Sequence, residues 1–297
     1  MSNPFIAIYR KTDKYVLSPL RDPCHVNLYL DVDDHRGQFE KFCTKAKVMA
    51  PDGFNLIIFG PSGTGKKSFG NRAAFELLSL LNTKACQACS VVFSELSSFG
   101  PADQAAAMSK IGAACQQQLG HDEHVIKMNQ SLSDFSRSLA DDLSQRNQQL
   151  VIVLEDVSLG IQKEIVTAFN RPQFHLILKA ASREDAQDLQ KQCSMIQRIA
   201  QIAALGQLRA KDVRLYVENI LVKAAPHYQF AEISLSSEFI NEFVSEYDVS
   251  NAIISLSRVR HILEKVVLYC LEKQAPVLTL QVYRDFLILV GKETIHG

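Results

Sequence analysis

The sequence predicts an α/β fold, a parallel sheet with helices on both faces followed by a small all-α domain, and three observations lead there. Residues 54–68 read FNLIIFGPSGTGKKS, a buried strand running into a glycine-rich loop and a helix start. Residues 150–156 read LVIVLED, an unbroken apolar strand ending in two acids. From Gly206 onward only helical periodicity remains. Strands that alternate with helices imply parallel pairing, because each crossover returns over a face of the sheet.

The first stretch carries the phosphate chemistry. Asn55–Phe59 is short and mostly apolar, as a central parallel strand requires. Gly60, Gly63 and Gly65 then permit backbone conformations that side chains forbid, so the loop can turn its N–H groups inward. Gly60, Pro61, Ser62, Gly63, Thr64 and Gly65 form the cradle, and Lys66 stands at the lysine of G-x-x-x-x-G-K-[ST], opposite the β- and γ-phosphates of ATP. Such a loop defines the P-loop NTPase fold. Lys67 departs from the pattern, because the residue after the lysine should carry the hydroxyl that ligates Mg²⁺. The hydroxyl of Ser68 comes one residue late, and a helix turns about 100° per residue, so it points elsewhere unless the loop is re-registered. Phosphate binding is expected, with Mg²⁺ affinity or hydrolysis impaired. A glycine-rich turn without a ligand would leave the spacing, the lysine and the strand-before-helix context unexplained.

The second stretch ends in Glu155 and Asp156, acids that face the phosphates from the end of a strand. In P-loop enzymes the first acid binds Mg²⁺ through water and the second orients or deprotonates the attacking water. Glu155 and Ser68 are therefore the candidate metal ligands, and Glu155 and Asp156 the candidate catalytic acids. The usual order, aspartate then glutamate, is reversed, which shortens the second carboxylate by one methylene. A misplacement of about 1 Å costs on the order of 100-fold in rate, so slow hydrolysis is expected. The competing reading makes the two acids the start of a surface turn.

The 297 residues are 47% hydrophobic and 22% charged, enough for a large core in an ordinary globular protein. Lysine plus arginine equal aspartate plus glutamate at 32 each, so no overall basic field draws the chain to nucleic acid or an anionic membrane. Any such contact needs a local patch. No apolar run approaches the roughly 18 residues that span a bilayer, and no hydrophobic segment follows a basic start. The expectation is a cytoplasmic protein, or a nuclear one if eukaryotic, with no membrane partner. Seven cysteines at irregular spacing suit reduced thiols. Cys86 and Cys89 form one C-x-x-C with His121 and His124 downstream. A zinc site needs these pairs to converge, and ordinary core or surface positions account for them as well.

Ahead of the loop, Phe5–Tyr9 reads as a strand within an N-terminal extension over residues 1–33. Phe39, Phe42, Cys43, Ala46 and Met49 recur at helical spacing. Behind the loop the pattern predicts a helix over 69–81, a strand over 90–96, helices over 102–119 and 131–148, a helix over 161–170 and a strand over 174–180. A fifth strand over 196–205 is entered at Arg198. Ser182 either touches the γ-phosphate or caps the helix beginning REDAQDLQ. Helices over 210–224, 236–247, 256–271 and 280–290 complete the chain, so the expected domains are 34–205 and 206–297.

In this order GPSGTGKK, LVIVLED, FHLILKAAS, QRIAQI and a bundle containing SLSRVRHILEKV resemble an AAA+ ATPase over roughly residues 34–290. Within that superfamily the chain looks most like the origin-recognition ATPases and the ATPases that regulate transposition. The resemblance implies ATP and Mg²⁺ as cofactors, a helical lid, Ser182 at the sensor-1 position and Arg198 as an arginine finger acting across a subunit interface. It places Arg260 at the sensor-2 position, with Arg258 as its competitor. Sensor 1 is commonly asparagine or threonine, so Ser182 is a departure, and Arg198 also reads as a surface arginine. The implied activity is a switch that assembles with ATP into a ring or filament on double-stranded DNA and recruits a partner protein, in replication or DNA transposition. Lys84, Lys110 and Lys127 lie where DNA-contacting loops usually occur, although a solvated face explains them too. Lys67 and the inverted acids favour a second reading, a nucleotide-binding adaptor of a signalling or defence complex with vestigial hydrolysis. A small-molecule kinase fits poorly, because the C-terminal helices do not resemble a substrate lid.

Overall fold

The computed structural model describes residues 3–11, 16–30, 32, 34–82, 86–93, 96, 100–120, 131–230, 232–248 and 254–295. They divide into two compact units, one of residues 37–60 and 66–205, the other of residues 1–36, 61–65 and 206–297.

The chain begins with helix α1 (Pro4–Tyr9), where the sequence predicts a strand. A short apolar run is compatible with either structure, and its flanks decide. Pro4 pre-sets the first helical turn, and Asn3 Oδ1 accepts the Phe5 N–H at 2.9 Å. A 3₁₀ turn at Pro23–Leu28 starts the same way, with Asp22 as its cap. Buried His25 ties these pieces together. Its Nδ1 accepts the Ser18 N–H at 2.9 Å and its Nε2 donates to the Ile8 carbonyl at 2.7 Å.

The α/β unit follows with α2 (His35–Met49), β1 (Phe54–Phe59), α3 (Lys66–Asn82), β2 (Gln87–Phe93), α4 (Pro101–Leu119) and α5 (Leu132–Gln145). Then come β3 (Gln148–Leu154), α6 (Leu159–Ala168), β4 (Phe174–Lys179), α7 (Arg183–Met195) and β5 (Ile199–Ala204). The five strands pair in parallel in the order β2-β3-β4-β1-β5. Both faces of the sheet are covered. Ile57, Leu150, Ile152, Leu154, Leu176 and Leu178 pack with Met108, Ile111, Phe135, Leu139, Ile165 and Leu189 of α4–α7. On the other face Ile58 and Ile177 lie beneath α3, so close that a Cβ on Gly70 would sit 3.3 Å from Ile58 Cδ1. Unbroken apolar strands are thus explained by burial on two sides. Strand β2 is shifted toward the N-terminus of the expected 90–96, and Leu96 joins only an isolated bridge to Val157.

The second unit contains α8 (Ala210–Ala224), α9 (Ser237–Asp248), α10 (Leu256–Glu272) and α11 (Leu280–Ile295). It is not purely helical, because β6 (Ser234–Leu235) and β7 (Val277–Leu278) form a two-stranded parallel pair. The stub is anchored by Leu278, which is fully buried. Tyr216, Phe239, Phe243, Leu263, Val267 and Tyr283 form the core, and Phe5 and Ile8 of α1 belong to it. Among the described residues no helix is long and apolar enough to cross a membrane.

Candidate nucleotide-phosphate site

Strand order brings the two sequence motifs to one edge of the sheet. β1 leads into the glycine-rich loop, β3 leads into the acids, and β4 lies between them. The loop leaves β1 at Gly60, where φ is +154° and a Cβ would come within 2.4 Å of the Leu205 carbonyl oxygen. No other residue lets the chain pass β5 so closely. Lys66 opens α3, and its Nζ donates to the Gly60 carbonyl at 2.5 Å. The amides at this helix start carry partial positive charge and no intrahelical acceptor, which suits a phosphate. Burial pushes the Lys66 ammonium below its ordinary pKa, Lys179 adds repulsion, and Asp156 opposes both.

The middle of the loop, Pro61–Gly65, groups with the second unit. Thr64 is fully buried and its hydroxyl donates to the Pro61 carbonyl at 2.9 Å. The Leu256 N–H donates to the Gly63 carbonyl at 3.0 Å. Gly63 has φ +77°, and a Cβ there would meet Ser255 Oγ at 2.2 Å. Ser62 is exposed.

The acids are held by the protein's own cations. Asp156 Oδ2 pairs with Lys67 and Asp156 Oδ1 with Lys179. Glu155 Oε1 accepts from Asn71 Nδ2 at 3.2 Å, and Oε2 lies 4.0 Å from Lys67 Nζ. Partial burial opposes ionisation of Asp156, but the hydrogen bonds and charges of Lys179 and Lys67 outweigh it and hold the carboxyl below the usual range. The residues present fit ATP phosphates. They do not fit Mg²⁺ in the expected way, because a lysine replaces the ligating hydroxyl and both Asp156 oxygens already face ammonium groups. Ser68 is buried on the next position of α3. Among the described residues no cluster of three or more histidine, cysteine, aspartate or glutamate side chains could hold a metal.

Arg198 departs from its expected role. It is 7% exposed, and its guanidinium donates to the main-chain carbonyls of Asp52 at 3.3 Å, Arg171 at 2.6 Å and Phe174. Desolvation lowers its pKa to about 10, which leaves it charged. A finger must reach out of its own subunit, whereas this side chain is spent inside. Arg260 is also turned inward, 7% exposed, with its guanidinium 5.2 Å from the Tyr216 ring centroid and 5.6 Å from that of Tyr9. Arg258 is the exposed arginine of α10. Ser182 is the N-cap of α7, its hydroxyl accepting the Asp185 N–H at 3.0 Å. Lys110 is exposed, with Nζ 5.0 Å from the Phe93 ring centroid. Lys84, Lys127, His121 and His124 lie outside the described residues, and Cys89 is buried with its sulfur 4.0 Å from that of Cys115.

Two site residues escaped sequence reasoning. Lys179 ends β4 opposite Ile58, between the phosphate-loop strand and the acid strand. Asn71 stands one helical turn beyond Lys67 and is 2% exposed. A lysine closing an otherwise apolar strand was the available signal for the first. The second depends on which face of α3 meets β3.

No protein-family model and no curated protein sequence matches the chain. Solved structures do. The ORC2 protein of Aeropyrum pernix in its ADP form superposes with a TM-score of 0.65 at 12% identity, over 93% of this chain and 71% of that one. The ADPNP-ADP complexes of the same protein give 0.61 at 14% identity, over 84% and 66%. The Aeropyrum pernix ORC1 protein in complex with DNA gives 0.59 at 14% identity, over 91% and 69%. This chain thus spans about two thirds of the length of those proteins. With the glycine-rich loop and the acid pair at one edge of a five-stranded parallel sheet and these structural neighbours, the chain has the fold of the AAA+ ATPases.

Proposed function

We propose that this chain is an ATP-binding switch with slow hydrolysis, which assembles with nucleotide on double-stranded DNA and recruits a partner protein, in the manner of a replication or transposition regulator. The observation that carries the nucleotide part is the placement of Lys66 at the start of α3, directly after a glycine-rich turn at the end of a central strand. The main-chain N–H groups of the loop and the helix start would hold the phosphates, and Lys66 would neutralise them as a point charge. Bound ATP supplies the polyanion and the phosphoanhydride bond.

Slow hydrolysis follows from Asp156. A group that orients or deprotonates water needs a free, basic oxygen, and both Asp156 oxygens are paired with lysines that lower its basicity. Assembly and DNA binding draw support from the likeness to an ORC1 protein solved with DNA and an ORC2 protein solved with ADPNP and ADP. The same engaged Asp156 favours a second reading, an adaptor for which ATP only stabilises a protein complex. Lys66→Ala tests the nucleotide site, because it removes the charge while the apolar core stays intact. Calorimetry should show ATP binding abolished with an unchanged circular dichroism spectrum, and wild-type affinity in that variant would overturn the assignment. Filter binding with duplex DNA, with and without ATP, separates the two readings: ATP-dependent retention supports the DNA switch, and no retention supports the adaptor.

A further inference from the structure

We infer that this chain binds ATP without Mg²⁺, with Lys67 and Lys179 acting as fixed cations in place of the metal; the inference rests on the nucleotide reading above. Three observations converge. The hydroxyl that would ligate the metal is absent at position 67, and the side chain that replaces it carries a positive charge to the acids. All four carboxylate oxygens of the acid pair face a protein nitrogen: Lys179 and Lys67 at Asp156, Asn71 and Lys67 at Glu155. A divalent ion would have to displace two ammonium groups and then remain beside them against like-charge repulsion.

The charge count makes the same point. In the usual arrangement one lysine and one divalent cation bring three positive charges to the phosphates. Here Lys66, Lys67 and Lys179 bring the same three against the two carboxylates of Glu155 and Asp156. Ammonium groups bind phosphate oxygens through charge-assisted hydrogen bonds, so they can meet the electrostatic demand of a triphosphate. They cannot supply a Lewis acid with open coordination positions for water and substrate, which is what Mg²⁺ offers to hydrolysis. Tight binding and poor turnover therefore have one cause.

The test titrates the full chain with ATP by calorimetry, once in Mg²⁺ and once in EDTA. Wild-type affinity should agree between the two within about twofold, whereas a metal-requiring site should weaken by at least about tenfold in EDTA. Lys67→Thr restores the hydroxyl and removes one cation. Its affinity should fall at least about tenfold in EDTA and recover in part with Mg²⁺. Lys67 is partly exposed, so the variant should keep the wild-type thermal transition, and the wild-type comparison stands without it. Wild-type binding lost only on chelation overturns this inference and leaves the nucleotide reading intact. Binding absent in both conditions overturns both.

Discussion

The Arg198 guanidinium lies directly over Gly53, where a Cβ would come within 2.3 Å of Nη1. Gly53 has φ +74°, a conformation other residues rarely adopt, and it precedes the strand that carries the phosphate loop. The pair is a structural lock at the entrance edge of the sheet. Arg198→Ala would remove three hydrogen bonds to main-chain carbonyls, of which that of Arg171 keeps another donor, the Phe174 N–H at 3.1 Å, at about 1–3 kcal/mol for each group left unsatisfied where water cannot reach. A loss of about 3 kcal/mol in urea unfolding is expected, with ATP affinity of the folded fraction unchanged. Gly53→Ala should be similarly costly, because it displaces the guanidinium and strains the backbone. An Arg198→Ala protein with unaltered stability but no turnover in its assembled form would reinstate the finger.

His175 gives the stability a pH signature. It is fully buried on β4, where Nδ1 accepts the Phe54 N–H at 3.1 Å and Nε2 donates to Gln149 Oε1 at 2.7 Å. Desolvation, with repulsion from Arg198, lowers its pKa to about 3. The neutral ring is the native form, so above the unfolded pKa near 6.5 the group costs nothing. As pH falls from about 6.5 toward 3 the unfolded chain takes up a proton that the folded chain refuses. Stability should drop by up to about 1.4 kcal/mol per pH unit from this residue alone. His175→Gln should show a shallower decline over that window in denaturant titrations at several pH values. An identical decline in both proteins would mean that His175 titrates normally.

Much of this was readable beforehand, and the failures have physical causes. Residues 54–68 and 150–156 announced the strands β1 and β3 and the loop and acids that follow them, because buried parallel strands, glycine spacing and terminal acids are local signals. Phe5–Tyr9 misled because a short apolar run has no decisive period, and the choice fell to Asn3 and Pro4 just outside it. Lys179 closes an otherwise apolar strand, but its acid partner is set by the strand order β3-β4-β1, and that of Asn71 by the face α3 turns to β3, both long-range properties. Arg198 misled for a different reason. Charge favours the surface in general, and only the folded chain reveals three inward carbonyls that satisfy a buried guanidinium.

Asp156 offers the sharpest test of how the lysines are used. As a carboxylate it restrains Lys67 and Lys179 together, so Asp156→Asn should release both and raise the net charge of the five-residue cluster by one. Each of the two partly exposed pairs is worth about 0.2–1 kcal/mol, so ATP affinity should rise by roughly twofold to thirtyfold, and the gain should shrink in high salt. Any residual turnover should vanish, because the water-orienting oxygen is lost, and an ATP-bound form should accumulate. Glu155→Gln should raise affinity less. Its oxygen can still accept from Asn71, and only Lys67, at 4.0 Å, loses a charge partner. Fluorescent-nucleotide titrations of the two variants at low and high salt separate these effects. If Asp156→Asn weakens ATP binding more than Glu155→Gln does, the carboxylate itself supports the nucleotide, and the lysines are its counterions rather than the ligands of the phosphates.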